Sequence, residues 1–176
     1  MIKLRPMTSS EYPAYCDYFI DDYSREIAEN YGHSIDRSIE LANQELLRSF
    51  PNGLETDKHE LLCIESDSEL VGYLWHSINA DDKSTFIYDF FIFSNRRNNG
   101  YGKLAISAFE SRLTSIGIEQ IRLRVAYHNQ RALKLYQEVG FAISGYNMSK
   151  KIGLNYEPHL SEQFPYSQPV GSISEA

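Results

Sequence analysis

This chain of 176 residues has few of the residue patterns that identify a function by themselves. It holds two cysteines, Cys16 and Cys63, which give neither a disulfide framework nor a C-x-x-C pair. Its five histidines lack the spacing of metal ligands, so we expect no metal. No run reaches the roughly 20 apolar residues of a membrane-spanning helix, and no segment resembles a signal peptide. We therefore expect a cytoplasmic protein without a membrane partner.

Basic residues are also in the minority. The chain has 17 Lys and Arg against 24 Asp and Glu, which gives a formal net charge of -7. Proteins that bind nucleic acid usually carry an excess of positive charge, so we expect no nucleic-acid partner. A negatively charged protein instead favours a cationic substrate, such as an amine.

The length suits one domain with a substantial core. We predict that this domain covers residues 1–152 and that residues 153–176 form an irregular tail, because three prolines, Pro158, Pro165 and Pro169, oppose regular structure there. The aromatic side chains of this tail leave open the alternative that it docks on the domain or on a second copy. A homodimer is therefore included among the expected assemblies.

Hydrophobic periodicity predicts the order strand, two helices, three strands, helix, strand, helix and strand. The segment from Thr8 to Glu11 is a capping box that starts the first helix, and the second helix begins near Ser34. The three central strands are predicted at residues 60–65, 69–79 and 83–93, joined by short polar turns.

A glycine-rich loop follows the apolar run at residues 86–93. Residues 97–105 read R-N-N-G-Y-G-K-L-A. Gly100 and Gly102 let the backbone approach a ligand closely, and the helix that follows offers free N–H groups to an anion. A P-loop is excluded, since one residue rather than four separates the glycines. The G-x-G-x-x-A spacing also fits a dinucleotide site, but an NAD(P)-binding oxidoreductase needs further strand-helix units that are not apparent.

The loop opens an amphipathic helix with one predicted buried stripe. The apolar positions of that stripe are Tyr101, Leu104, Ala105, Ala108, Phe109 and Ile116. After the helix, strict alternation from Ile121 to Tyr127 predicts a strand with one apolar face and one largely cationic face.

A second motif lies at residues 129–141, which read N-Q-R-A-L-K-L-Y-Q-E-V-G-F. Asn129 stands where a helix N-cap would satisfy a free backbone N–H. Together with Arg97-x-x-Gly100-x-Gly102, the pattern N-x-x-A-x-x-L-Y-x-x-x-G-F strongly resembles the GNAT superfamily of N-acetyltransferases. The resemblance implies an α/β GNAT acyl-CoA acyltransferase fold, with a mixed central sheet and helices on both faces. It also implies transfer of an acetyl group from acetyl-CoA to a primary amine of a small molecule or protein, by direct attack in a ternary complex. A non-catalytic acyl-CoA sensor would keep the same motifs and is the alternative.

The resemblance assigns residues to acetyl-CoA as well. In the family, a strand pairs with the pantetheine arm, the glycine loop cradles the pyrophosphate through backbone donors, and an asparagine bonds the pantetheine arm. The residues so implied are Phe90, Phe91, Ile92, Arg97, Asn98, Asn99, Gly100, Tyr101, Gly102, Lys103 and Asn129. Because backbone donors dominate such a cradle, the side chains at positions 98 and 99 are expected to vary freely. The nearest cations for the 3′-phosphate are Arg96, Arg97, Lys103 and Arg131.

Two residues are predicted to act in the transfer. Tyr136 matches the family's tyrosine that protonates the departing thiolate, which a phenol of pKa about 10 does uphill by about a unit and a half. The alternative to this catalytic role is that Tyr136 only packs as part of the apolar stripe of its helix. Asp89 is the lone charge in the run at residues 86–93, a strand that we expect to be covered on both faces. Asp89 is either the base or substrate anchor, or the partner of Arg122 or Arg124 on the next strand.

The acceptor is expected to be a small-molecule or peptide amine. In this fold it contacts the first two helices, about residues 18–50 here, where no substrate motif is recognisable. Candidate residues of its pocket are Tyr23, Tyr31, Trp75 and His76.

Overall fold

The computed structural model describes residues 1–148. The predicted domain boundary at residue 152 and the tail at residues 153–176 lie outside the described residues. Two compact units can be distinguished. One holds Met1–Tyr15 and Ser49–Ala142, and the other holds Cys16–Arg48 with the described residues from Ile143 onward.

The first unit is built on a five-stranded sheet. Its strands are β1 (Ile2–Pro6), β2 (His59–Ser66), β3 (Glu69–Asn79), β4 (Ser84–Ile92) and β5 (Gln120–Leu123). The strands lie in chain order and neighbours pair antiparallel, except that β4 and β5 run parallel. The predicted mixed sheet is confirmed, and the three central strands begin and end within one residue of their predicted bounds.

Four α-helices accompany these strands in residues 1–148. They are α1 (Tyr12–Tyr31), α2 (Ile35–Ser49), α3 (Tyr101–Ser115) and α4 (Gln130–Glu138). One of the two bonds of the capping box predicted before α1 is present, because the Thr8 N–H donates to Glu11 Oε2 at 2.9 Å. The Glu11 N–H bonds the Thr8 backbone carbonyl instead of the Thr8 hydroxyl. Ser34 caps α2, since its Oγ accepts from the Arg37 N–H at 3.3 Å. The predicted order of elements is confirmed as far as α4.

The core of the first unit lies where α3 packs on the sheet. Buried side chains of β2, β3 and β4 form one apolar cluster with α3. The members from these four elements are Leu62, Ile64, Val71, Leu74, Ile87, Ala105, Ile106, Phe109 and Leu113. Two residues predicted on the buried stripe, Leu104 and Ile116, are instead 53% and 56% exposed. At 3.6 residues per turn Leu104 points away from the buried positions, and Ile116 follows the last turn.

On the C-terminal side one strand prediction is wrong, and the strand predicted after α4 is not found within the described residues. Strand β5 ends at Leu123 and does not continue to Tyr127, whose side chain is 65% exposed. No strand forms after α4 at residues 141–148. A strand forms only where a neighbouring strand accepts and donates its backbone hydrogen bonds. The last pair between β4 and β5 is Ile87 with Leu123, so β5 has no partner on β4 beyond that point.

The second unit is formed mainly by α1 and α2. Its three arginines all pair with a carboxylate on their own helix, at Asp21 with Arg25, Glu40 with Arg37 and Glu45 with Arg48. None of the helices in residues 1–148 combines the length and apolarity that a membrane span requires.

Glu60 makes the stability of the first unit depend on pH. Its Oε2 accepts from Arg112 Nη2 at 2.8 Å and lies 3.4 Å from Nε2 of the buried His76, a contact too poorly aligned for a hydrogen bond. The neighbouring His76, and then Arg112, lower the pKa of Glu60 from 4.5 to about 2. Because the pKa is lowered on folding, this stabilisation is present above pH 4.5 and is lost as the pH falls towards 2.

We expect a Glu60→Gln variant to melt at a lower temperature than wild type at neutral pH and to lose less of its stability on acidification. The measurement is the melting temperature of both proteins from pH 7 down to the acid transition. Glu119→Gln is the matched control, since Glu119 pairs with Lys83 at an exposed position. Parallel curves for wild type and Glu60→Gln would contradict the assignment.

Candidate active site

Strands β4 and β5 separate part-way along the sheet. They pair from Ser84 to Ile87, whereas β4 continues to Ile92. At the point of separation β4 contains a bulge, because Ile87 lies opposite His76 and Asp89 lies opposite Trp75. Tyr88, between Ile87 and Asp89, has no residue opposite it on β3. Such a bulge twists and bends a strand. In residues 1–148 no strand pairs with the far side of β4 beyond Ile87.

The backbone of β4 therefore offers hydrogen-bonding groups to this gap. The Phe93 N–H donates to the Val71 carbonyl on β3 at 2.9 Å, and backbone groups alternate in direction along an antiparallel strand. Phe91 consequently faces β3, while Phe90 and Ile92 face the gap. The Ile92 carbonyl accepts from Arg97 Nε at 2.9 Å. Within the described part of the chain, the N–H and C=O of Phe90 and the N–H of Ile92 have no backbone partner and can bond a ligand.

This alternation divides the three strand residues that were predicted to bind the pantetheine arm. Phe90 and Ile92 fit the prediction, since their main chains line the gap. Phe91 does not fit it, because its main chain faces β3. The Phe91 ring instead lies 5.2 Å from the Arg97 guanidinium, in a cation–π contact that orders the start of the loop.

The glycine loop places a row of backbone donors at the start of α3. Gly100 has φ of 76° and precedes the helix without a side-chain cap. The first helical bond in this turn runs from the Leu104 N–H to the Gly100 carbonyl. Within residues 1–148, the N–H groups from Asn99 to Lys103 have no acceptor. Free N–H groups and the positive end of the helix dipole fit a phosphate.

Asn98 and Asn99 shape this loop, so the expectation that their side chains vary freely is wrong. Asn98 has φ of 66°, a conformation that asparagine tolerates better than most residues. Its Oδ1 accepts from Arg131 at 3.1 Å. The Asn99 side chain donates to the carbonyls of Arg96 and Arg97, both at 3.1 Å.

The four cations near the loop are not equivalent. Arg96 pairs with Glu69 at 2.6 Å and Lys103 pairs with Glu138 at 3.0 Å. Arg131 contacts only the neutral amide of Asn98 among the described polar groups. Arg97 likewise has no carboxylate partner among the described residues, since its Nε donates to the neutral carbonyl of Ile92. Arg97 and Arg131 therefore carry the least compensated positive charges of the four.

Gly102 serves the packing of α3 against α4. A Cβ at this position would lie 3.1 Å from Leu135 Cδ2. Even an alanine there would require the Leu135 side chain to shift by a few tenths of an ångström, so close packing on α4 favours glycine at this position without reference to a ligand. Gly100 differs, because no atom lies within 4 Å of the place of its Cβ.

Tyr136 and Asp89 are brought close together. Tyr136 is buried on α4, where its ring packs near those of Phe90 and Phe141 at 6.4 and 5.4 Å. Burial raises the pKa of Tyr136 well above its usual range, and the negative charge of Asp89 adds to the effect. Tyr136 is therefore protonated at neutral pH. Proton donation to a thiolate is more uphill than the unit and a half expected from the free phenol.

Asp89 is only half-buried, as are its neighbours from Tyr88 to Ile92, so the expectation of a strand covered on both faces is wrong. The predicted pairing with Arg122 is also wrong, because Arg122 binds Asp82 at 2.9 Å. The pairing with Arg124 stays a prediction. Asp89 Oδ2 does accept from the Tyr15 hydroxyl at 3.2 Å. That contact joins residues 74 positions apart, and sequence periodicity placed Tyr15 only on the apolar side of α1.

Asn129 caps α4 as expected, since its Oδ1 accepts from the Ala132 N–H at 3.1 Å. The Nδ2 donors of this exposed side chain are then the atoms available to a ligand. Trp75 and His76, by contrast, are fully buried and cannot line an open acceptor pocket. Residues 1–148 hold no group of three His, Cys, Asp or Glu side chains arranged to bind a metal.

Known proteins resemble this chain in sequence and in structure. The sequence model of the Acetyltransferase (GNAT) family matches residues 13–141. The uncharacterized N-acetyltransferase YycN of Bacillus subtilis (strain 168) is 33% identical over 155 residues, which cover 86% of this chain and 99% of YycN. A crystal structure of YycN superposes with a TM-score of 0.81 at 32% identity, covering 88% of this chain and all of YycN.

A more distant structure shows the same fold. It is that of the PaiA N-acetyltransferase from Thermoplasma acidophilum in complex with coenzyme A, with a TM-score of 0.65 at 17% identity over 84% of this chain and 93% of PaiA. The TM-scores show that this chain shares its fold with both proteins. The sheet in residues 1–148 has one parallel pair and does not supply the parallel strand-helix series of a dinucleotide-binding oxidoreductase, so that alternative is wrong.

Proposed function

We propose that this chain, which belongs to the acetyltransferase (GNAT) family, transfers an acetyl group from acetyl-CoA to a primary amine of a small molecule or peptide. The amine attacks the thioester directly while both substrates are bound. Homologues named N-acetyltransferases support the reaction class. The identity of the donor and the direct attack are our proposals.

One observation carries the proposal. The gap beside β4 leaves the N–H and C=O of Phe90 and the N–H of Ile92 open, and the same chain segment leads within ten residues to the free N–H groups that precede Leu104. An extended amide chain that ends in a pyrophosphate matches both features in that order. Acetyl-CoA has this build, since its pantetheine arm carries two amides and its far end carries phosphates.

The other polar groups then take definite roles. Asn129 Nδ2 donates to the pantetheine arm. Arg131 binds the 3′-phosphate, because no carboxylate in residues 1–148 pairs with it and its side chain, unlike that of Arg97, is exposed. Either open N–H of β4, that of Phe90 or that of Ile92, is a donor for the oxyanion that forms at the acetyl carbonyl.

Tyr136 and Asp89 handle protons. Tyr136 holds its proton at neutral pH and releases it only when the thiolate leaves, which its raised pKa favours over premature ionisation. Asp89 accepts a proton from the ammonium form of the acceptor or anchors that ammonium. An unperturbed amine has a pKa of about 10.4, so a base helps to supply its neutral form.

The setting of this reaction follows the chain's charge and composition. The net charge of -7 favours a cationic acceptor over a nucleic acid. We propose that the enzyme works in the cytoplasm, as a monomer or homodimer.

The expected result of a direct assay is release of free CoA thiol that depends on both acetyl-CoA and an amine. The purified full chain is mixed with acetyl-CoA and a panel of primary amines, including diamines and lysine-containing peptides. Thiol release is followed with a chromogenic disulfide, and the product is identified by a mass increase of one acetyl group. Each productive amine is paired with its N,N-dimethyl analogue, which binds as a cation and cannot be acetylated.

The sensor alternative makes a different prediction for the same experiment. A non-catalytic acyl-CoA-binding protein would bind CoA in a calorimetric titration and release no thiol with any amine. Failure to bind CoA at all would contradict both functions.

A further inference from the structure

We propose that Tyr15 is a positioning residue for Asp89: its hydroxyl fixes the carboxylate in the orientation and charge state that proton transfer needs. The inference rests on the proposed role of Asp89 in the acetyl transfer. It adds a residue that lies outside both sequence motifs.

The contact is built from a buried side chain. Tyr15 is fully buried, and its hydroxyl donates to Asp89 Oδ2 at 3.2 Å. Its ring meets that of Tyr73 edge to face, with centroids 5.2 Å apart and planes at 85°. Tyr73 in turn packs edge to face on Phe93 at 5.2 Å. The ring of Tyr15 therefore has little freedom to turn its hydroxyl away.

The helix start that carries Tyr15 is itself fixed to the sheet. Arg5 on β1 donates to both carboxylate oxygens of Glu11, at 2.6 and 2.8 Å, and to Glu65 on β2 at 2.7 Å. Glu11 also accepts from the Thr8 N–H, and its own carbonyl accepts from the Tyr15 N–H at 3.2 Å. The first turn of α1 is thus held against β1 and β2, while Asp89 belongs to β4 of the same sheet.

Asp89 needs such support because of where it lies. It is half-buried beside the bulge, where the strand geometry is irregular and the neighbouring β5 no longer pairs. A carboxylate in this position can rotate unless a donor holds one oxygen. A hydrogen bond to the ionised form also favours that form over the protonated acid.

The experiment compares the pH dependence of kcat/KM for wild type, Tyr15→Phe, Asp89→Asn and the double variant. Phenylalanine keeps the ring contact with Tyr73 and removes only the donor. We expect Tyr15→Phe to move the acid limb to higher pH by about one unit, the effect of losing one hydrogen bond to a charged group. Asp89→Asn should abolish that limb. The double variant should then behave as Asp89→Asn alone, because Tyr15 acts through Asp89.

Tyr88→Phe is the matched control, since it removes a tyrosine hydroxyl on the same strand that bonds Ser77 at 3.3 Å and not Asp89. Its acid limb should stay at the wild-type position. All rates are expressed per folded protein, with folded protein counted by calorimetric titration with CoA, so that a loss of stability alone cannot imitate the effect.

Three outcomes overturn the proposal, and they are distinguishable. If Asp89→Asn changes the acid limb and Tyr15→Phe does not, Tyr15 is a packing residue while the role of Asp89 stands. If neither variant changes the limb of an active enzyme, Asp89 is not the titrating group and Tyr15 positions nothing for catalysis. A lower kcat/KM in the double variant than in Asp89→Asn would also contradict action through Asp89.

Discussion

A Tyr136→Phe variant is expected to lose about ten- to a thousandfold in kcat, the usual range for removal of a general acid, with little change in CoA affinity. The hydroxyl is the only polar atom that the substitution removes. No hydrogen bond within residues 1–148 uses that hydroxyl, so a purely packing role would leave activity nearly unchanged. The measurement is kcat by thiol release, together with CoA affinity by calorimetry.

Tyr127→Phe provides the control for this variant. Tyr127 precedes α4 and is 65% exposed, so loss of its hydroxyl should change neither kcat nor CoA affinity. The acid limb of the pH profile should persist in Tyr136→Phe, because Asp89 is intact. Wild-type kcat in a folded Tyr136→Phe protein would assign Tyr136 to the core alone and exclude it as the acid.

Sequence patterns predicted the elements whose signals are local. Strand β3 was predicted at residues 69–79 and has those bounds, because its apolar run ends at polar turns on both sides. The capping contact between Thr8 and Glu11 before α1 was also predictable from sequence, since it needs only these two residues at the right spacing. The Asn129 cap of α4 is a third case.

The errors arise where a long-range partner decides the structure. Residues from Ile121 to Tyr127 alternate as a strand should, yet only the part that meets β4 pairs. The pairing of β4 with β5 ends at the bulge in β4, and no residue pattern in β4 predicts that bulge. The feature that opens the candidate site was therefore invisible in the sequence.

The same limit applies to single residues. A glycine in the sequence indicates that something packs close to the backbone or that the backbone is unusual there, but not which group is close. Gly102 packs against Leu135, whereas Gly100 has open space beside it. Asp89 stood out as a lone charge, but its partner Tyr15 is 74 positions away and could be found only from the fold.

Gly100 therefore gives the sharper test of the anion cradle. We expect Gly100→Ala to weaken CoA binding by about tenfold or more, the effect of losing a hydrogen bond to a charged group. At φ of 76° a side chain is strained, so relief of that strain would turn the N–H groups before Leu104 away from the phosphates. Calorimetric titration with CoA measures the change.

Gly117→Ala is the control that separates binding from strain. Gly117 has φ of 80°, and no atom lies within 4 Å of its Cβ position, so it matches Gly100 in both respects. It lies beyond the C-terminal end of α3, where no anion is expected. Both variants should lose about 1 kcal/mol of stability, since both place a side chain in the left-handed region. Equal CoA affinity in the two folded variants would show that the N-terminal turn of α3 does not bind the phosphates, and the proposed orientation of acetyl-CoA would be wrong.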